Sequence, residues 1–258
     1  MATRSNDRPL TGRRILICRP QPDADRLAER LQAEGAQTHC LPLLERRPLP
    51  ESPERRTRFQ ELDLYQHVIA VSPGAARLFV EQAEDWWPQW PVGLHWYGVG
   101  SGTAEVLEQA GLTVTIPPHG FTSEHLLALD TLRQPTGERI LIAKGRGGRE
   151  LLGQTLAERG ARVDNLELYE RVCPDYEAAT ITSALNDFDP DAVIVLSGET
   201  LNNLIALGEN TDNALKRRTL LVPVDRVAQT ARERGFERVF IPEQLTPEGL
   251  IECLGHLD

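Results

Sequence analysis

Lys144, Arg146 and Arg149 alternate with Gly145, Gly147 and Gly148 in the run KGRGGRE at 144–150. Glycines let backbone N–H groups approach an anion closely, and the start of a following helix adds partial positive charge. Lys144 and Arg149 add formal charge. The run reads as an anion-binding loop or as a tight solvated turn. It lacks the GxxxxGKS/T spacing of a nucleotide-binding loop. Other short turns carry similar groups: Arg19-Pro20-Gln21-Pro22, Ser72-Pro73-Gly74, Gly100-Ser101-Gly102-Thr103 and Ser197-Gly198-Glu199. Ser72 and Ser197 can each cap a helix or contact an anion, and neither lies in the GxSxG elbow of a serine hydrolase. Thr103, in the first turn of a helix, can cap it or bind a ligand oxygen. The GVGSG run at 98–102 is a weak nucleotide signal with no acidic partner for a ribose. Tyr169 closes an extended run. Its phenol is either a packing residue with a wet tip or a hydrogen-bond donor and acid.

The elements that must position these groups are legible in the same stretch. Residues 139–174 read as a β-branched strand, the glycine turn, a helix and a second strand ending at Tyr169. Leu151, Leu152, Leu156 and Ala157 are expected on one helix face, and Gly160 stops the helix. Residues 14–48 repeat this pattern: from Arg14 to Arg139 the offset is 125 residues. Roughly a dozen of about 35 aligned positions are identical, which marks an internal repeat. In the first copy Asp23 is the expected N-cap. The repeat continues through the strands at 67–71 and 192–196 and those near 96–99 and 220–224. FTSE at 121–124 and LTPE at 245–248 follow as helix starts. Strands alternate with helices throughout, which predicts parallel, doubly wound sheets. Ligands in such sheets bind beyond the carboxyl ends of the strands, where all of these turns fall. Proline-rich 44–53 and its counterpart 166–174 read as extended connectors. The tryptophans at 86, 87 and 90 read as a local cover.

Composition narrows the partners. The chain has 258 residues, a net charge of −10 and 5% aromatic residues. Acidic balance and few aromatics argue against a nucleic-acid binder, although a small anionic ligand remains compatible. Cys18, Cys40, Cys173 and Cys253 are scattered, as expected of free thiols in a reducing cytoplasm. The histidines do not cluster with them into a metal site. No run is long and apolar enough to span a membrane, and the first fourteen residues read as a disordered lead without a signal core.

The chain resembles the uroporphyrinogen-III synthase family in ILICRP, HVIAVSPGA, YGVGSGTAEVLEQAG, GFTSEHLL, ILIAKGRGGRELLGQTLAERGA with LELYERV, and VIVLSGETLNNL. The order and spacing of these pieces, from Arg14 to about Leu254, carry the resemblance. It implies an α/β fold of two flavodoxin-like domains, one discontinuous (1–43 with 173–258) and one inserted (48–168), joined by linkers at 44–47 and 169–172. Turn-bearing edges facing across a cleft would bring the turns together. The implied reaction is cyclisation of hydroxymethylbilane to uroporphyrinogen III, with loss of water, inversion of ring D, and neither metal nor organic cofactor. The implied acid is Tyr169. The implied substrate contacts are Arg19, Ser72, Pro73, Gly100, Thr103, Lys144, Gly145, Gly148, Arg149, Ser197 and Gly198. Val227 stands opposite Thr103 in the second half, where the family carries hydroxyl residues. A cytoplasmic monomer is expected, with the preceding bilane-forming enzyme as a conceivable partner. The competing reading is a non-catalytic two-domain binder or sensor of small anions.

Overall fold

Short runs of branched and leucine side chains become strands because both of their faces are buried by helices. The computed structural model describes residues 8–208 and 214–257. Along the chain the elements are β1 (Arg14–Ile17), α1 (Asp23–Ala33), β2 (Gln37–Cys40), β3 (Glu45–Pro48), α2 (Pro53–Gln60), β4 (His67–Ala70) and α3 (Pro73–Ala83). Then come β5 (His95–Gly98), α4 (Ser101–Gln109), β6 (Val114–Thr115), α5 (Ser123–Leu127), β7 (Arg139–Gly145), α6 (Leu151–Glu158) and β8 (Arg162–Val172). The last are α7 (Ala178–Thr182), β9 (Ala192–Ile194), α8 (Gly198–Gly208), α9 (Ala214–Arg217), β10 (Thr219–Leu221), α10 (Asp225–Glu233), β11 (Arg238–Phe240) and α11 (Pro247–Gly255).

The chain divides into two compact units. The first is Met1–Glu45 with Val172–Asp258, and the second is Arg46–Arg171. In the first unit the sheet order is β11-β10-β9-β1-β2, with parallel pairing throughout. That is the flavodoxin-like order. Leu16, Val193 and Leu220 face one apolar cluster, and Ile15, Ile17, Ile194 and Leu221 face another, so both faces are covered. In the second unit the order is β3-β8-β7-β4-β5-β6, and the strands from β8 to β6 run parallel. Here β7-α6-β8 occupies the place of β1-α1-β2, β4 that of β9, and β5-α4-β6 that of β10-α10-β11. The same layout is therefore reached in a permuted chain order. Val68, Ala70, Leu141, Ala143, Leu166 and Leu168 face one cluster, and Ile69, Ile140 and Ile142 face the other.

Several local expectations are corrected. Asp23 is the first helical residue, after an N-cap at Pro22 that makes no side-chain bond. Its carboxylate instead pairs with Arg19 at 3.5 Å and Arg26 at 3.9 Å, and an acid in the first turn complements the helix dipole. On α6 only Leu152 and Leu156, four apart, reach the core, while Leu151 and Ala157 are exposed. Residues 1–7 of the expected disordered lead lie outside the described residues. Its remainder is tied down: Leu10 is fully buried and its N–H donates to the Glu34 carbonyl at 3.1 Å, while Arg13 donates to the Leu257 carbonyl. Of the three tryptophans expected to form a cover, Trp87 and Trp90 do so and Trp86 stands exposed. Trp87 donates to the Phe59 carbonyl at 2.7 Å and Trp90 to that of Ala110 at 2.8 Å, and Trp90 meets Trp96 edge-on.

The repeat also preserves an ionic foot. Arg14 opens β1 and pairs with Asp189 at 3.0 Å and Asp191 at 3.3 Å. Its counterpart Arg139 opens β7 and pairs with Glu61 at 3.2 Å and Asp164 at 3.6 Å. The Arg139 guanidinium lies 4.5 Å over the Tyr65 ring, and the Tyr65 hydroxyl donates to Asp164 at 2.8 Å. Burial, then the neighbouring Asp164, pushes the Tyr65 phenol well above its ordinary range. The folded chain thus holds this proton more tightly than the unfolded chain does. Its contribution is intact below the unfolded phenol pKa of about 10 and declines as pH rises above that value. Urea midpoints measured between pH 8 and 11 are expected to fall more steeply for the wild-type chain than for Tyr65→Phe. Parallel curves would show that Tyr65 does not titrate differently in the two states.

Candidate active site

A parallel sheet gathers its strand-to-helix turns at one edge, and in the second unit that edge carries a cleft of about 660 Å³. The ends of β4, β7 and β8, the 146–150 turn and α6 bound it. Strand β4 is followed in sequence by β5 on one side and flanked by β7 on the other, so the cleft lies at the switch point of the topology, where open α/β sheets bind ligands.

Ser72, Lys144, Gly145, Gly148, Arg149 and Tyr169 line this cleft together. Lys144 and Gly145 belong to β7 and not to the turn, because pairing with β8 continues through Lys144↔Glu167 and Gly145↔Tyr169. The turn proper is 146–150, where Gly147 and Gly148 take φ of +70° and +83°, a conformation that disfavours side chains. Lys144 is half-buried and has no ion-pair partner among the described residues. Arg149, with a side chain 78% exposed, reaches Glu124 at 3.5 Å. Such an exposed pair is weak and easily surrendered to a ligand. Arg146 is held by Glu167 at 3.4 Å and Glu170 at 3.3 Å.

Tyr169 lies within β8, which runs on to Val172, and does not end it. It is only 5% exposed. Its hydroxyl is 3.2 Å from the Ser72 Oγ, and either oxygen can be the donor. Ser72 also caps α3 by accepting the Ala75 N–H at 3.2 Å. Of the two roles expected of Ser72 from sequence, cap or anion contact, the cap is present, and the same oxygen meets the Tyr169 hydroxyl. Ser197 plays the matching part in the first unit, accepting the Thr200 N–H at 3.0 Å and lying 2.7 Å from the Thr200 hydroxyl. Gly198 opens α8 behind it.

Thr103 does not cap α4, whose N-cap is Gly100 without a side-chain bond. The threonine is buried in the first turn, and its N–H donates to the Gly100 carbonyl at 3.0 Å. Pro73 is the first residue of α3, and Gly102 packs towards it. Neither Pro73, Gly100 nor Thr103 lines the cleft. Arg19 in the first unit is partly buried and pairs with Asp23. Val227, opposite Thr103, is buried in the core of α10.

Sequence reasoning missed Asn165, Glu167, Gln154 and Arg171, which also line the cleft. Period-two spacing on β8 puts residues 163, 165 and 167 on the α6 face, a signal that was present in the strand. All four cysteines are free thiols. Burial raises them, Cys40 up to about 11 and Cys18 further. Among the described residues no group of three or more His, Cys, Asp or Glu side chains could hold a metal, and no helix is long and apolar enough to cross a membrane.

Comparison with known proteins converges on one family. The family model described as "Uroporphyrinogen-III synthase HemD" matches residues 25–252. The uroporphyrinogen-III synthase of Salmonella typhimurium is 34% identical over 246 residues, covering 93% of this chain and 99% of that protein. The Escherichia coli enzyme is 32% identical over 250 residues, with the same coverage of 93% and 99%. Among solved structures, a mutant uroporphyrinogen III synthase of Thermus thermophilus aligns with a TM-score of 0.59 at 22% identity, covering 93% of this chain and 97% of that one. The Helicobacter pylori uroporphyrinogen-III synthetase aligns with a TM-score of 0.57 at 14% identity over the same shares. At these identities the structural matches speak for the α/β fold.

Ser72→Ala is expected to remove the α3 cap and lower the unfolding free energy by about 1 kcal/mol. Urea denaturation checks this, and an unchanged midpoint would mean that water replaces the cap without loss.

Proposed function

Because the chain belongs to the uroporphyrinogen-III synthase family, we propose that it dehydrates and cyclises hydroxymethylbilane to uroporphyrinogen III, a lyase reaction that inverts ring D. The observation that carries the mechanistic reading is the Tyr169 hydroxyl against Ser72 in a cleft that also holds Lys144. Linear tetrapyrroles of this kind carry eight carboxylates. Lys144, Arg149 and the backbone N–H groups around Gly145 and Gly148 suit part of that charge. Ser72 completes the set from the second unit, with Pro73, Gly100 and Thr103 at neighbouring strand ends. Arg19, Ser197 and Gly198 stay in the proposal as substrate contacts of the first unit.

In this reading the Tyr169 phenol donates its proton to the terminal hydroxyl of the substrate, which leaves as water. The Ser72 hydroxyl can then turn to donate to the phenolate oxygen, and a hydrogen bond to the charged form favours it. The azafulvene so formed is attacked by the last pyrrole ring at its substituted carbon. The resulting spiro intermediate fragments and recloses with that ring reversed. The protein's part is to hold a flexible polyanion in the geometry for this attack and to disfavour simple head-to-tail closure. Four scattered cysteines, all free thiols, fit a reducing cytoplasm, and we read the chain there as a monomer that receives its substrate from the preceding bilane-forming enzyme.

Feeding hydroxymethylbilane and separating the isomers tests the activity. The type III isomer is expected, whereas spontaneous type I product alone would favour a non-catalytic anion binder. Tyr169→Phe is expected to lower kcat by about 100-fold with the fold intact, and unchanged turnover at saturating substrate would remove Tyr169 as the acid. Lys144→Glu is expected to raise KM by about tenfold. An unchanged KM would make the lysine a bystander.

A further inference from the structure

We propose that Gly145, within a one-residue slip of the β7/β8 ladder, is a positioning residue that seats the Tyr169 ring with its hydroxyl on Ser72. The inference rests on the reading of Tyr169 as the acid and says what places it. Side chains alternate along a strand, so residues 163, 165, 167 and 169 of β8 should share one face. Val163 does pack with Ile140 and Ile142 on the α6 side. Tyr169 does not: it joins Leu166 and Leu168 on the opposite face, with Leu141 and Ala143.

The register explains the switch. Lys144 pairs with Glu167 and the next residue, Gly145, with Tyr169, which leaves Leu168 as the extra residue of a β-bulge. The Arg146 N–H closes the bulge by donating to the Tyr169 carbonyl at 2.6 Å. Even-numbered β4 positions Val68 and Ala70 lie on the same face, and Ser72 follows them in step. The bulge thus carries the ring onto the face that Ser72 shares, where its hydroxyl meets the Ser72 Oγ.

The ring then needs room, and residue 145 supplies it. A β-carbon there would lie 2.6 Å from Tyr169 Cε2, 2.7 Å from Cζ and 3.1 Å from the hydroxyl oxygen. The clash falls on the ring end that carries the acid. Gly145 keeps a φ open to other residues, unlike Gly147 and Gly148, so its requirement is for space and not for backbone freedom. An alanine at 145 has to push the phenol off Ser72.

The test uses the full chain as wild type, Gly145→Ala, Tyr169→Ala and the double variant. Steady-state cyclisation gives kcat and KM, and circular dichroism gives the thermal midpoint. Gly145→Ala is expected to lower kcat by about 10- to 100-fold with KM within about twofold, and to lower the midpoint. In the Tyr169→Ala background the same substitution is expected to change neither, because the ring it meets is gone. Equal losses in both backgrounds would overturn the proposal, as would full turnover of Gly145→Ala. A Gly145→Ala chain that does not fold and is not restored by Tyr169→Ala would overturn it too. Full turnover of Tyr169→Ala would instead remove the acid reading, and with it the catalytic consequence. The coupling of midpoints would still report whether Gly145 seats the ring.

Discussion

The ladder between β7 and β8 slips by one residue at Gly145, and the candidate site depends on that slip. Before it, the two strands pair in step from Arg139↔Arg162 to Lys144↔Glu167. After it, the aromatic ring of Tyr169 lies against a residue without a side chain. Two physical constraints meet there. A one-residue change of register reverses every later side chain, and a tyrosine ring cannot share space with a β-carbon. The first constraint aims the phenol at Ser72, and the second keeps it there. Ser72 is itself fixed, because its oxygen already holds the first turn of α3.

What surrounds this contact follows from the sheet. Parallel strands place their following turns at one edge, so the serine after β4, the lysine at the end of β7 and the tyrosine of β8 arrive together although they lie far apart in sequence. The ionic feet under β1 and β7 lie at the other end of their strands, at Arg14 and Arg139, away from these turns. Stability and candidate chemistry are thereby separated along the strand direction. Each unit repeats this division, and the second reaches it from a permuted chain order.

Much of the fold was legible from residue pattern alone. The repeat between 14 and 139, the alternation of strands and helices, and a glycine stop such as Gly160 together dictate parallel doubly wound sheets. The capping serines were legible too, because a hydroxyl before a helix has an unpaired N–H within reach. The bulge was not. Nothing in LELYERV marks Leu168 as the extra residue, since the slip is a property of two strands paired, and the sequence of either one reads as unbroken. The same reason hid Lys144's place on the strand, whereas Leu151 and Ala157 miss the core because each stands one residue, about 100° of helix turn, off the Leu152–Leu156 stripe. The capping alternative for Thr103 failed for another reason: a hydroxyl in a first turn looks like a cap, yet Gly100 already stood at the capping position.

Everything proposed for the chemistry turns on whether the Tyr169 phenol, seated by Gly145 and Ser72, meets the substrate. Tyrosines labelled with carbon-13 at the ring Cζ would report it directly by NMR, titrated with a linear tetrapyrrole that lacks the terminal hydroxyl and so cannot cyclise. The Tyr169 signal is expected to shift saturably while that of Tyr65, at the foot of the sheet, stays fixed. A Tyr169 signal that does not move when the protein is saturated would contradict the proposed contact.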